Sequence, residues 1–171
     1  NKTYDGDNTA TTTLTLSGLI GSETLNSTNT STFNNKNVGT GKSVTVNSIT
    51  LANGSNGDLA SNYSISPGQT TTANITPKAL TATASASNKV YDGNNTATTT
   101  LTLSGFIGTE TVTSTNSSTF NNKNVGSNKT VTVNSITLAN GTNGGLAANY
   151  SISAGQTTTA NITAKALTVS G

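Results

Sequence analysis

The stretch Ser-Val-Thr-Val-Asn-Ser-Ile-Thr-Leu-Ala-Asn-Gly, residues 43–54, indicates how this chain folds. Val44 and Val46 alternate with polar residues, and Ile49 and Leu51 do the same one position out of step. Alternation with a period of two predicts a β-strand with one buried face. The change of parity requires a β-bulge at the intervening Asn-Ser pair, unless the strand crosses from one sheet to another there.

The same two-residue alternation extends to other parts of the chain. Residues 9–18, Thr-Ala-Thr-Thr-Thr-Leu-Thr-Leu-Ser-Gly, place Leu14 and Leu16 on one face and threonines on the other. No segment has apolar residues at the spacing of an amphipathic helix. The sequence therefore predicts an all-β protein of Ig-like antiparallel β-sandwiches, with a β-grasp-like repeat as the alternative. Further strands are expected at residues 25–33, 63–65, 71–75 and 80–86.

The chain consists of two copies of one module. Residues 1–84 and 88–171 align without a gap at an offset of 87, and 66 of 84 positions are identical. A period of this length is that of a small domain, because solenoid repeats span only about 20–50 residues. We predict two tandem domains, 1–84 and 85–171, from a longer array. The segment Lys78–Asp92 contains no Gly or Pro, so we expect a stiff junction and an extended rod.

The composition excludes several classes of function. Of 171 residues, 38 are Thr, 25 Asn and 21 Ser, while Cys, His, Met, Trp and Arg are absent. Catalysis by Ser-His-Asp or Cys-His systems, zinc binding and disulfide frameworks are thereby excluded. Eight Lys against six acids form no basic face for nucleic acid. No apolar run is long enough for membrane insertion. We expect no enzyme activity, no cofactor and no metal site.

The Tyr-Asp-Gly motif begins each repeat, at Tyr4-Asp5-Gly6 and Tyr91-Asp92-Gly93. We interpret it as a structural strand end, in which Tyr packs inward, Asp caps a turn and Gly supplies a positive φ. A second hypothesis is a Lys–Asn isopeptide crosslink beside an acid. Its residues are Lys2, Glu23 and Asn74 in the first repeat and Lys89, Glu110 and Asn161 in the second. Strand parity argues against it, because Asn74 alternates with Ala73 and Ile75 and is expected to point outward.

Threonines form an outward row in each repeat, at Thr11, Thr13 and Thr15 and again at Thr98, Thr100 and Thr102. A solvated strand face accounts for the row, since Thr favours β-structure. Regular Thr rows also suit the binding of sugars, which supports an adhesive role as the alternative to a structural one.

An ordered set of motifs resembles a known family. Lys-Val-Tyr-Asp-Gly at 89–93 is followed by Phe-Asn-Asn-Lys-Asn-Val-Gly at 120–126, Asn-Tyr at 149–150 and Ala-Asn-Ile-Thr-x-Lys-Ala-Leu-Thr at 160–168. Both repeats resemble the YDG-type repeat domains of bacterial filamentous-haemagglutinin-like surface adhesins. The resemblance implies an extracellular, all-β repeat at the bacterial cell surface, with neighbouring repeats of the same polypeptide as partners. It transfers no catalytic residue.

From these observations we expect a structural stalk or spacer that projects a distal binding region, as in cell adhesion or biofilm formation. The alternative is a directly adhesive module that binds a glycan, a matrix protein or a neighbouring fibre.

Overall fold

The computed structural model describes all residues, Asn1–Gly171, which form two compact units, Asn1–Pro77 and Lys78–Gly171. The regular structure is almost entirely β, which confirms the predicted all-β class. The chain has no α-helix; two short 3₁₀ turns span Ala60–Asn62 and Ala147–Asn149.

Unit 1 contains one five-stranded sheet with the order β1-β5-β4-β3-β2. All pairs are antiparallel except β1 and β5, the first and last strands, which are parallel. The strands are β1 (Lys2–Thr3), β2 (Thr9–Ala10), β3 (Leu25–Phe33), β4 (Gly39–Asn53) and β5 (Thr70–Thr76).

The long hairpin β3–β4 contains the predicted β-bulge. Thr30 pairs with Ser48 and Ser31 with Val46, so Asn47 has no partner on the facing strand. The extra residue brings Val44 and Val46 into the core, although Ile49 and Leu51 lie at the other parity. Of the two alternatives, the bulge within one continuous strand is confirmed.

Unit 2 repeats this sheet and adds two small ones. Its main sheet has the order β8-β14-β12-β11-β9, with β8 and β14 parallel. The added sheets are the antiparallel pair β10-β7 and the parallel pair β13-β6. The strands are β6 (Lys78–Ala79), β7 (Thr81–Ala86), β8 (Lys89–Val90), β9 (Thr96–Ala97), β10 (Thr99–Ser104), β11 (Val112–Phe120), β12 (Gly126–Asn140), β13 (Tyr150–Ser151) and β14 (Thr157–Thr163).

Each unit has a small apolar core at the turn end of its long hairpin, and in unit 2 Leu80, Val112 and Tyr150 are buried as well. In unit 1 the most deeply buried side chains are those of Tyr4, Phe33, Val44, Val46 and Ile75. In unit 2, Phe120, Val131, Ala160 and Ile162 form one cluster, against which Ala86, Tyr91 and Ala97 pack. Burial of large apolar side chains stabilises by roughly 1.5–3 kcal/mol each, so a few residues carry most of each core.

Two expected strands differ between the units. The alternating stretch 9–18 forms only the two-residue strand β2 in unit 1, whereas its counterpart continues into β10 in unit 2. Residues 63–65 form no strand, whereas the equivalent Tyr150–Ser151 forms β13. The partners of β10 and β13 are β7 and β6, which come from residues 78–86. By sequence, residues 78–84 end the first repeat, but they pair within unit 2.

Candidate functional site: the Tyr-Asp-Gly turn

The ammonium group of Lys2 organises the first turn. Its Nζ lies 2.7 Å from Asp5 Oδ1 and 2.8 Å from Asp7 Oδ1. It also donates to the main-chain carbonyl oxygens of Asp7, at 3.2 Å, and Thr9, at 3.1 Å. These acceptors surround the ammonium, and the Lys2 side chain is only 17% exposed. The oxygen atoms of the turn therefore converge on the single positive charge of Lys2.

The backbone of the turn follows from its Asp and Gly residues. Gly6 has φ +88°, a conformation that L side chains rarely adopt. Asp5 Oδ1 accepts from the Asp7 N–H at 3.2 Å, and Asp7 Oδ1 accepts from the Thr9 N–H at 2.8 Å. Side chains that bond to the backbone two residues ahead are typical of Asx turns. Two such turns in succession carry the chain from β1 to β2.

The second repeat builds the same turn with one charge fewer. Lys89 Nζ lies 2.8 Å from Asp92 Oδ1 and donates to Asn94 Oδ1 at 2.9 Å. Gly93 has φ +87°. Asn94 occupies the position of Asp7, and its amide oxygen accepts from the Thr96 N–H as the carboxylate does from Thr9. An oxygen acceptor at this position is therefore sufficient, and a carboxylate is not required.

The electrostatics of the turn favour the charged forms. Hydrogen bonds from Lys2 and Thr9 hold the pKa of Asp7 well below its usual range. Burial alone lowers the pKa of Lys2, but its hydrogen bonds with Asp5 and Asp7 raise that pKa above the usual value. In the second turn, the hydrogen bond with Lys89 lowers the pKa of Asp92.

The turn also fastens the first strand of each five-stranded sheet to the last strand of that sheet. Tyr4 is buried, and its N–H donates to the Thr76 carbonyl at 2.8 Å. The Lys2 ammonium lies 6.0 Å from the centroid of the Phe33 ring, within range of a cation–π interaction. In unit 2, Tyr91 N–H donates to Thr163 at 2.8 Å, and Lys89 is 5.9 Å from the Phe120 ring. The turn therefore ties together the first and last strands of each five-stranded sheet.

The residues of the hypothetical isopeptide crosslink have other partners in the structure. Asn74 Oδ1 accepts from the Gly41 N–H at 2.8 Å, while Glu23 accepts from the Tyr63 hydroxyl. The second repeat has the same contacts, in which Asn161 accepts from Asn128 at 2.8 Å and Glu110 from Tyr150 at 2.7 Å. The crosslink stays a prediction, which the intact mass tests: each bond removes about 17 Da as ammonia.

The pairing of a Tyr hydroxyl with a Glu carboxylate was not predicted from the sequence. Tyr150 OH donates to the buried Glu110 carboxylate and accepts from the Ile107 N–H at 3.1 Å. In unit 1 the hydrogen bond to Glu23 raises the pKa of Tyr63. The two residues are 40 positions apart in both repeats. This recurrence is the feature of the sequence from which their contact could have been predicted.

The structure contains no group of three acidic side chains close enough to hold a metal ion. None of its helical segments has the length and apolar character needed to cross a membrane.

Comparison with known proteins gives a family but no individual relative. No curated protein and no solved structure matched the chain. The model of the YDG domain matches residues 1–73 and again residues 76–160. These two ranges include both Tyr-Asp-Gly turns, both long hairpins and most of both cores, and together they cover most of the sequence. The chain therefore belongs to the YDG domain family, which its two repeats match one after the other.

Proposed function

We propose that this chain is a load-bearing spacer, a stalk segment of a large bacterial cell-surface adhesin that projects a distal binding region. The observation that carries the proposal is the parallel pairing of the first and last strands of each five-stranded sheet. Lys2 pairs with Ile75 and Thr3 with Thr76, and in unit 2 Ile162 pairs with Lys89.

Parallel terminal strands resist tension for a geometric reason. The start of β1 and the end of β5 lie at opposite ends of their shared ladder, because the strands run in the same direction. Tension applied through the chain therefore shears all of their hydrogen bonds together. The Tyr4 N–H to Thr76 bond and the Lys2 turn lie in this load path. An antiparallel hairpin pulled at its open end instead breaks its bonds one after another.

The arrangement of the two repeats and their location in the cell are part of the same proposal. Ig-like sandwiches are proposed from the two-residue alternation of the sequence. Their arrangement as an extended rod is proposed from the Gly- and Pro-free segment 78–92, and their place on the extracellular surface of a bacterium from the adhesin resemblance. Small-angle X-ray scattering tests the rod, since an extended pair gives a larger radius of gyration than a compact particle of 171 residues.

The exposed threonines support a second candidate, a module that is itself adhesive. Thr11, Thr13 and Thr15 are exposed in unit 1, as are Thr98, Thr100 and Thr102 in unit 2. Binding of the chain to a glycan array, lost when Thr100 and Thr102 are both replaced by Lys, would favour this candidate.

Single-molecule force spectroscopy tests the spacer function. The chain is pulled by its two termini, and a matched variant is pulled through cysteines introduced by Asn26→Cys and Ala52→Cys. These two exposed residues pair across the open end of the β3–β4 hairpin. The chain has no native cysteine, so each attachment is unique.

We expect the force at the termini to exceed the force across the hairpin at least about twofold, because unfolding under load depends on the barrier along the pulling direction. The terminal pull is expected to give two events, each releasing roughly 250 Å of chain. Equal forces in the two geometries would refute a load-bearing role.

A further inference from the structure

Two short loops contain all four Asn-Gly pairs of this chain. The first loop is residues 53–58, Asn-Gly-Ser-Asn-Gly-Asp, and the second is residues 140–145, Asn-Gly-Thr-Asn-Gly-Gly. Each loop begins on the last residue of a long hairpin strand, β4 or β12. The side chain of an Asn that precedes Gly can react with the main chain, because glycine has no Cβ to shield its peptide nitrogen.

The reaction is a spontaneous ring closure. The glycine nitrogen attacks Cγ of the Asn side chain and forms a C–N bond, its proton passes through solvent to Nδ2, and Nδ2 leaves as ammonia. Water then opens the five-membered succinimide at either carbonyl, which gives aspartate or isoaspartate without any oxidant or cofactor. The attack requires an Asn side chain that is free to turn back over the next peptide bond, and a glycine N–H that has no acceptor.

The first Asn of each loop does not meet these conditions. Asn53 Oδ1 accepts from the Ala60 N–H at 2.9 Å, and the Gly54 N–H donates to the Asp58 carbonyl at 3.1 Å. In unit 2 the pair that begins at Asn140 makes the equivalent two bonds, at 2.8 Å and 2.9 Å. Both the side chain and the attacking nitrogen must therefore lose a hydrogen bond before they can react.

The second Asn of each loop lies at the exposed tip, in the left-handed conformation. Its φ is +66° at Asn56 and +55° at Asn143. The N–H of the glycine that follows donates to no acceptor in either loop. The two side chains differ in one bond. Asn143 Nδ2 donates to the Thr109 carbonyl at 3.0 Å, whereas the Asn56 side chain makes no hydrogen bond. Of the four pairs, only Asn56-Gly57 meets both conditions.

One difference between the repeats accounts for the free side chain. Asp58 in unit 1 corresponds to Gly145 in unit 2. A Cβ on Gly145 would lie 1.8 Å from the Thr111 carbonyl oxygen, so only glycine lets this loop pack so closely on the residue before β11. In unit 1 the Asp58 carboxylate instead accepts from the Thr24 N–H at 2.7 Å. The carboxylate lies between the loop and the strand, and the tip with Asn56 reaches no main-chain carbonyl.

The loop of unit 1 is also closed more weakly. The Asp58 N–H lies 3.4 Å from the Ser55 carbonyl oxygen, whereas the equivalent distance from Gly145 to Thr142 is 3.0 Å. Hydrogen bonds of this type normally measure about 2.7–3.2 Å and weaken as they lengthen. A weakly closed surface loop opens at a low free energy. Local opening gives the Asn56 side chain the freedom that ring closure requires.

We propose that Asn56 is a site of spontaneous deamidation, at which the Asn56-Gly57 pair closes to a succinimide and opens to aspartate or isoaspartate. In the folded chain it reacts ahead of the other three Asn-Gly pairs. The product has a new carboxylate two positions from Asp58, and isoaspartate adds one carbon to the main chain of the loop. Because ammonia is lost to solvent, the modified fraction rises with the age of the molecule. This inference goes beyond the proposed spacer function and does not depend on it.

Peptide mapping by mass spectrometry tests the proposal on the full chain, incubated in mildly alkaline buffer. Chromatography separates aspartate and isoaspartate products from the parent peptide, and fragmentation assigns them to one Asn. We expect Asn56 to react at least about threefold faster than Asn143, which must first lose one hydrogen bond. It is expected to exceed Asn53 by at least about tenfold, because two bonds hold that pair. In urea, where the loops are unfolded, Asn56 and Asn143 are expected to react at similar rates.

Exchange of the loop sequence tests the physical cause. Ser55→Thr combined with Asp58→Gly gives unit 1 the loop sequence of unit 2. We expect this double variant to slow Asn56 to within about twofold of the rate at Asn143, because the tip can then pack on the strand and gain the missing hydrogen bond. Ser55→Thr alone keeps the Asp58 carboxylate in place and is the matched control, with an unchanged rate at Asn56.

Three results would overturn the proposal. Equal rates at Asn56 and Asn143 in the folded chain would show that the hydrogen bond to Thr109 does not protect the second loop. A difference that persists unchanged in urea would assign it to the local sequence instead of the folded loop. A double variant that reacts at Asn56 as fast as the parent, or no more slowly than Ser55→Thr alone, would contradict the part given to Asp58.

Discussion

Replacing Leu80 by Ala tests whether the segment after Pro77 is part of the core of unit 2. Leu80 is 5% exposed, whereas Leu167 at the equivalent position of the second repeat is 89% exposed. Both follow Lys-Ala and precede Thr. Leu→Ala at a buried site costs about 2–5 kcal/mol. Leu80 lies at the margin of its core, so we expect about 2–3 kcal/mol, or roughly a 30- to 150-fold shift in the unfolding equilibrium.

Hydrogen exchange measured by mass spectrometry separates the two units. Peptides from β4 report on unit 1 and peptides from β12 on unit 2, and their sequences differ enough to distinguish them. We expect Leu80→Ala to lower the free energy of opening in β12 by the full amount and to leave β4 unchanged. Leu167→Ala, the matched control, is expected to change neither by more than about 0.5 kcal/mol.

Three patterns of protection would contradict the burial of Leu80 in unit 2. Loss of protection in β4 instead of β12 would mean that residue 80 stabilises unit 1. No loss in either strand would mean that Leu80 is not buried in solution. Equal losses for the variants at positions 80 and 167 would contradict the difference in burial between the two leucines.

Three further predictions concern the turn, the paired Tyr and Glu, and one close approach of the backbone. The pKa of Asp7 is lowered on folding, so its stabilising effect is present above about pH 4 and is lost as the pH falls below that; we expect Asp7→Asn to flatten the acid dependence of the thermal midpoint of unit 1. Tyr150→Phe removes the hydroxyl that donates to the buried Glu110 and is expected to cost about 1–3 kcal/mol in urea unfolding. Gly54→Ala places a Cβ 1.8 Å from a carbonyl oxygen and is expected to cost about 1–3 kcal/mol, whereas Gly39→Ala meets only a flexible lysine side chain and is expected to be nearly neutral in the same urea titration.

Each of these predictions has an outcome that contradicts it. An unchanged acid dependence for Asp7→Asn would show that the charge of the turn does not contribute to stability. A Tyr150→Phe variant as stable as the parent would mean that the hydroxyl is replaced by solvent at no cost. Equal losses for Gly54→Ala and Gly39→Ala would contradict the steric argument.

The long strands were predictable because apolar and polar residues alternate along them. Alternation placed β3, β5 and β7 correctly, and the change of parity in residues 43–54 located the bulge. In these segments the alternation of apolar and polar residues identifies the buried face. The two long strands of the main hairpin also pair across a short turn, so their pairing is local in sequence.

The rest depends on contacts that are distant in sequence. Thr12–Ser17 has the alternation of a strand but no strand to pair with. The parallel pairing of β1 with β5 joins residues more than 70 positions apart, and two-residue strands carry too little pattern to be recognised. In the candidate site, the Asp and Gly roles of the turn follow from residue type. The Lys2 contacts with carbonyl oxygens require the folded loop.

The unit of folding and the unit of sequence repetition are out of phase in this chain. The repeat returns at residue 88, whereas the second folded unit begins at Lys78. Residues 78–86 therefore belong by sequence to the end of the first repeat and by pairing to the second unit, where β6 and β7 pair with β13 and β10. A fragment cut at the sequence repeat, at residue 88, would lack both strands and would leave β10 and β13 without their partners.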